Sequence, residues 1–346
     1  MKDLKYLAAF SIPVSAIIAL LLRDSWVFLT PIFAFVFVPI LEILMPVQTE
    51  NLSKDQHQAK DQNKLFNLLL YFNLPLVYGI VGYFLWSITW ANYTTIELIG
   101  LLFCVGIVIG SNGINVAHEL GHRKLQWEKT LGKLLLLPAL YMHFYIEHNY
   151  GHHLNAATKE DPASARYNQT VYSFWFTSAF RQYFSAWKIQ NDLLKRANES
   201  FFSSKNDMLW YTILQLGYLL IIFSLLGSTA LFVSLGIGLV GAFLLESINY
   251  IEHYGLQRAK TKSGRYERVR EVHSWNSNHV LGRVMLYELT RHSDHHYKSH
   301  KKYQLLDYHD ISPQMPFGYP TSMVLALVPP LWFAVMNKRI PVEMRP

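Results

Sequence analysis

Residues Met208–His253 read MLWYTILQLGYLLIIFSLLGSTALFVSLGIGLVGAFLLESINYIEH, and from Met208 to Leu245 there is no charged side chain. A helix that crosses a bilayer needs about 20 apolar residues. This run holds two such lengths, 208–226 and 229–250, with Gly227, Ser228 and Thr229 as the turn between them. It closes on Glu246, Asn249 and His253, whose spacing puts them on one helix face. Ionisable groups at the end of a membrane helix mark a functional site by default.

Working outward, four more apolar lengths stand at 5–22, 26–46, 65–88 and 97–117. Apart from Lys5 at the first boundary, none of the six contains Lys or Arg. The 346-residue chain is 51% apolar and 15% aromatic. The first segment lacks a small-residue cleavage site and is followed by further spans, so it reads as a span and not a signal peptide. The fold expected is an all-α integral membrane protein with six transmembrane helices, one domain over 1–346, capped by 118–207 and 251–346.

The positive-inside bias sets the orientation. With the N-terminus inside, the outer connections are 23–25, about 89–96 and 227–228, and they hold one basic residue, Arg23. The other 30 of the 31 Lys and Arg then fall on the inner side or its boundary. Both termini and the cap are therefore expected in the cytoplasm of a bacterial inner membrane. No nucleic-acid partner is expected, because membrane topology accounts for the basic charge.

The cap collects histidines. They lie in His118-Glu-Leu-Gly-His122, Glu147-His148-Asn-Tyr-Gly-His152-His153, Asn249-Tyr-Ile-Glu252-His253 and Arg291-His292-Ser-Asp294-His295-His296, nine of the chain's 15. Imidazole is the commonest side-chain metal ligand. A spacing of four places His118 with His122, and His148 with His152, on one helix face, so each pair can point at one metal. His292, His295 and His296 span roughly 100° of a helix. His153 falls about 140° from His148 on an ideal helix, so that segment should end or distort there. All four segments lie at the same inner depth, which favours one shared histidine-rich metal site.

His118-Glu119-Leu120-Gly121-His122 also fits the H-E-x-x-H signature of zinc proteases, so an intramembrane metalloprotease is an alternative. It would leave six or seven clustered histidines without a role. Cys104 is the only cysteine, which rules out intrachain disulfides and a four-Cys iron site. Residues 131–146 are apolar but too short and broken to span, and 172–206 mixes aromatics with Arg181, Lys188, Lys195 and Arg196, which suits an interfacial amphipathic helix and equally a core-packing one. Pro320, Pro329 and Pro330 interrupt 319–336, which reads as a surface-docked segment. His273 and His279 are read as polar loop.

At these motifs the chain resembles the membrane alkane 1-monooxygenases, within the wider group of histidine-box di-iron desaturases and hydroxylases. The boxes alone indicate the wider group. Asn249-Tyr-Ile-Glu-His-Tyr-Gly-Leu256 together with Leu289-Thr-Arg-His-Ser-Asp-His-His296 narrows it, and the similarity runs from about 111 to 320. Thr290 and Tyr297 depart from the usual pattern without touching a ligand position.

The resemblance implies two non-haem iron ions bound by His118, His122, His148, His152, His153, His253, His292, His295 and His296. It implies O2-dependent hydroxylation of medium- to long-chain n-alkanes to 1-alcohols, with electrons from rubredoxin and its NAD(P)H-dependent reductase. A fatty-acyl desaturase or hydroxylase of the same group is the alternative. Glu119, Glu147, Asn249, Glu252 and Asp294 sit beside ligand positions and are candidates for orienting the imidazoles.

Overall fold

A computed structural model describes residues 2–345. The chain is helical, and its few β contacts are isolated bridges such as Val47 with His279 and Asn276 with Gln314. Among the described residues, five helices are long and apolar enough to cross a membrane. They are α1 (Asp3–Leu22), α2 (Asp24–Leu44), α3 (Leu65–Ser87), α4 (Thr95–Gly121) and, later in the chain, Asp207–His253. The helix α3 is interrupted at Phe72, between Leu65–Tyr71 and Asn73–Ser87. Pro75 lies just beyond and offers no N–H to the Tyr71 carbonyl.

α4 is the most buried of these helices and organises the rest. Thr94 caps its start in a reciprocal box with Glu97, and Arg23 holds the same glutamate at 3.1 Å. That pair fastens the short connection between α1 and α2 to the beginning of α4. Beyond α4 come α5 (Gln126–Leu135), then α6 (Phe144–Glu147), which passes directly into a π-helical turn at His148–His152. Next is α7 (Val171–Arg196), which turns Phe174, Ser178, Gln182 and Ala186 inward. It leaves Tyr172, Phe176, Phe180 and Phe184, at intervals of four, on the outside. Arg181, Lys188, Lys195 and Arg196 are exposed as well, so aromatic and basic groups share the outside, while the inner face mixes Val171, Phe174, Ala186 and Leu194 with Ser178, Gln182 and Gln190.

The run Met208–His253 forms two helical arms, as its sequence suggests, and they meet at Gly227. The two arms together are labelled α8 (Asp207–His253), and the one non-helical residue between them is Gly227, at φ 85° and ψ −178°. The left-handed value is one that glycine reaches without a β-carbon clash. The chain folds back there. Ser234 Oγ donates to Tyr218 Oη across 3.2 Å, whereas 16 residues of straight helix would separate them by about 24 Å. The second arm packs tightly on α4. A β-carbon on Gly106 would stand 2.5 Å from Val240, one on Gly241 2.5 Å from Ile109, and one on Gly236 2.5 Å from Leu102. Small residues let membrane helices approach this closely, where dispersion contacts replace the missing hydrophobic drive.

Beyond α8 the chain is mostly irregular and lies over the ends of α4 and α8. Trp275 donates its backbone N–H to Glu252 O and its indole N–H to Tyr254 O. The short helix α9 (His292–Tyr297) follows, then α10 (Tyr319–Ala326) and α11 (Pro329–Met336), each eight residues and too short to cross a bilayer. Trp332 packs against Tyr250 and Tyr254. This aromatic block fixes the end of α8 that carries Glu252 and His253.

Candidate metal centre

His118 and His122 sit one turn apart at the end of α4, so their rings share a face. The segment from α6 behaves otherwise. Its π-helical turn over His148–His152 uses i→i+5 bonding, which brings residues five apart toward one face and separates those four apart. His148 and His153 therefore converge, with Nε2 atoms 3.0 Å apart, while His152 points elsewhere. The expected pairing of His148 with His152 is corrected by this turn. Gly151 permits it, since a β-carbon there would stand 2.5 Å from Glu147 Oε1 and 2.9 Å from Ile189 Cδ1. On α9, His295 turns to one side and His292 with His296 to the other.

The nine imidazoles gather into two groups. His118, His122, His148, His153 and His295 form the first, and His152, His253, His292 and His296 the second, with the ring nitrogens in each within 4.8 Å of one another. Every close approach is Nε2 to Nε2. In the first group His118–His295 is 2.9 Å, His122–His148 3.0 Å and His153–His295 3.2 Å. In the second, His292–His296 is 2.9 Å, His152–His296 3.2 Å and His253–His292 3.3 Å. Two nitrogens about 2.1 Å from one ion at right angles are about 3.0 Å apart, so both donor sets have metal-sized spacing. The groups adjoin, with the His153 and His296 rings 4.6 Å apart.

Seven of these imidazoles are buried, and His122 and His153 are partly so. Burial, reinforced by neighbouring rings, pushes the pKa of His148, His153, His292, His295 and His296 well below the ordinary histidine value, and His122 to about 3. The neutral form is the one that binds metal. An all-imidazole donor set suits iron, copper, nickel or zinc better than calcium or magnesium. The residues present thus fit a pair of transition-metal ions.

The five carboxylate and amide candidates are placed differently from one another. Glu252 Oε2 comes within 3.2 Å of His292 Nε2. Asp294 instead binds Lys301, His309 and the Asp307 N–H, holding the following loop against α9. Glu119 pairs with Arg123 and accepts the Tyr303 N–H. Glu147 accepts from Ser185, and Asn249 reaches Glu246 at 3.5 Å. Glu246 itself takes bonds from Tyr141 and Gln182. Sequence reasoning missed Asp161, whose Oδ2 is 2.9 Å from His152 Nδ1. His273 and His279 stand apart from both groups, one against Glu267 and the other against Ser277.

Two cavities reach this centre, and two apolar ones lead toward the first of them. A small chamber touches both groups, lined by His118, His148, His292, Asn249 and Glu252. An apolar passage past Phe35, Val38, Leu244 and Met323 shares Gly110 and Ile248 with the chamber. It continues to a mouth at Phe103, Trp175, Phe243 and Leu327 on the outer surface of the helices. From another direction a polar cleft reaches His122, lined by Arg123, Lys124, Lys298, Lys301 and Lys302.

Spanning helices that converge on two buried histidine groups define a class, the histidine-box membrane oxidoreductases, and residues 89–324 match the fatty acid desaturase family. Full-length relatives narrow this. The chain is 35% identical to alkane 1-monooxygenase 2 of Alcanivorax borkumensis, covering 98% of this chain and 91% of that one. It is 36% identical to alkane 1-monooxygenase 1 of Pseudomonas aeruginosa, over 91% and 83% of the two chains. The xylene/toluene monooxygenase hydroxylase component of Pseudomonas putida is 27% identical over 98% and 89%. The protein belongs to the alkane 1-monooxygenase family and is an oxidoreductase of the monooxygenase type.

Proposed function

We propose that this protein hydroxylates the terminal carbon of medium- to long-chain n-alkanes, using O2 and electrons from rubredoxin. One oxygen atom enters the 1-alcohol and the other leaves as water, with two electrons and two protons taken up. The observation that carries the reading is the apolar passage from the outer surface of the helices to the chamber bordered by His118, His148 and His292. An alkane has no polar group to bind, so a lining of Phe35, Leu244 and Met323 is all its recognition requires.

The nine histidines would hold two iron ions, five imidazoles facing one and four the other. Iron bound there would supply the reductive activation of O2 and its delivery to carbon. The protein's own residues do the rest. Asp161 fixes the His152 ring, Glu252 stands at His292, and the packed ends of α4 and α8 keep water from the chamber. Cys104 is buried in α4 with no second thiol in the chain, so electrons come from a separate carrier. The polar cleft at His122, with Lys124 and Lys298 exposed on its rim, offers an acidic carrier a docking place.

The topology that goes with this reading has six spans, the fold-back at Gly227 dividing α8 into two. The chain is one domain, with the histidine end in the cytoplasm of a bacterial inner membrane. Membranes containing the protein, supplied with NADH, rubredoxin and its reductase, should convert octane or hexadecane to the 1-alcohol. That product should vanish without O2. If neither alkane yields alcohol from protein that carries two irons, the substrate assignment is wrong.

A further inference from the structure

The apolar passage and the histidine chamber meet at a threshold bordered by Gly110 and Ile248, which line both. Leu244, one turn before Ile248 on α8, lines the passage up to that point. A β-carbon on Gly110 would stand 2.9 Å from Leu244 Cδ1 and 3.0 Å from its Cβ, so the backbone of α4 and the side chain of Leu244 are already in close contact. Gly110 lies inside the π-helical turn Ile109–Ile114, and Leu245 continues the apolar wall on the chamber side.

A secondary C–H bond is weaker than a primary one, so an unconstrained oxidant attacks the inner carbons of an alkane first. Attack at the end must be imposed by shape. We infer that Leu244 and Ile248, set against Gly110, form a gauge that admits the unbranched end of a hydrocarbon chain and holds its second carbon, or any branch point, short of the metals. These two side chains then determine which carbon is oxidised. The inference rests on the alkane reading above and adds the residues that give it terminal selectivity. A single methylene in a tight apolar site discriminates about 10–200-fold, enough to reverse the intrinsic preference.

The test uses the full-length protein in membranes with the rubredoxin system, given octane and, separately, 2-methylheptane. Ile248→Ala and Leu244→Ala are compared with wild type, and iron per chain is measured for each. The milder Ile248→Val accompanies them in case an alanine variant loses metal. The ratio of 2-octanol to 1-octanol should rise about tenfold or more in the alanine variants and by less in Ile248→Val. Attack at the branched end of 2-methylheptane should rise relative to octane. Variants that keep their iron and the wild-type product ratio overturn the gauge. A wild-type protein that makes no octanol at all removes the alkane reading, and the gauge with it.

Discussion

Asp161 Oδ2 stands 2.9 Å from His152 Nδ1, and the same oxygen accepts the hydroxyl of Ser164. Its other oxygen takes the backbone N–H of Ala163. The carboxylate is thereby locked in place and keeps the His152 proton on Nδ1, leaving Nε2 to face His296. Burial pushes the Asp161 carboxyl up, but the hydrogen bonds it accepts from His152 and Ser164 help to hold it below the ordinary carboxylate value.

Asp161→Ala should therefore weaken metal retention in the four-histidine group. Loss of such an outer partner costs about 10–100-fold in metal affinity. Iron content after a timed chelator challenge measures it, and the variant should fall to about one iron per chain before the wild type does.

Gly151→Ala should damage the site from a distance. The added methyl would meet Glu147 Oε1 and Ile189, and relieving that overlap disturbs the turn that separates His152 from His148. Overpacking of this kind costs about 1–3 kcal/mol. The expected result is substoichiometric iron together with a lower thermal midpoint, where Ala157→Gly, in the loop beyond, would leave the stoichiometry unchanged.

Acid stability offers a test that does not pass through the metals. Burial lowers the pKa of His143 to about 3, and its ring packs on Tyr141 and Tyr183. Between pH 6.5 and 3 the unfolded chain binds a proton here that the folded chain does not. Stability is then complete above about pH 6.5 and falls as pH drops, by up to about 1.4 kcal/mol per unit. His143→Phe should flatten that acid limb by one proton. Thermal unfolding at a series of pH values, compared with wild type, reads the difference in slope.

Charge reversal in the polar cleft should act on the electron carrier. Lys124→Glu and Lys298→Glu ought to raise the KM for rubredoxin severalfold at low ionic strength, with the difference shrinking as salt screens the charges. A KM for rubredoxin that stays at the wild-type value across the salt series would show that the carrier docks elsewhere.

Much of this arrangement is legible from residue type and spacing. His118 and His122 obey ordinary helical geometry, and the uncharged length of 208–245 is unmistakable. The division of the histidines is not legible, because it depends on a π-helical turn that α-helical spacing conceals. The five-residue step from His148 to His153, across Gly151, was the available signal. Asp161 gave none, since its link to His152 arises from a turn ended by Pro162 and not from periodicity. The break within α8 was legible. Gly227-Ser228-Thr229 reads as a turn, and one glycine at positive φ reverses the chain there.

The mouth of the apolar passage, between Phe103, Trp175 and Leu327, has a kinetic consequence. A ligand that arrives there is drawn from the acyl phase, and its effective concentration is a mole fraction in lipid. Adding more empty bilayer at constant alkane should therefore slow turnover by surface dilution, while enlarging the water volume should hardly matter. On the alkane reading, a partition coefficient sets the supply of substrate.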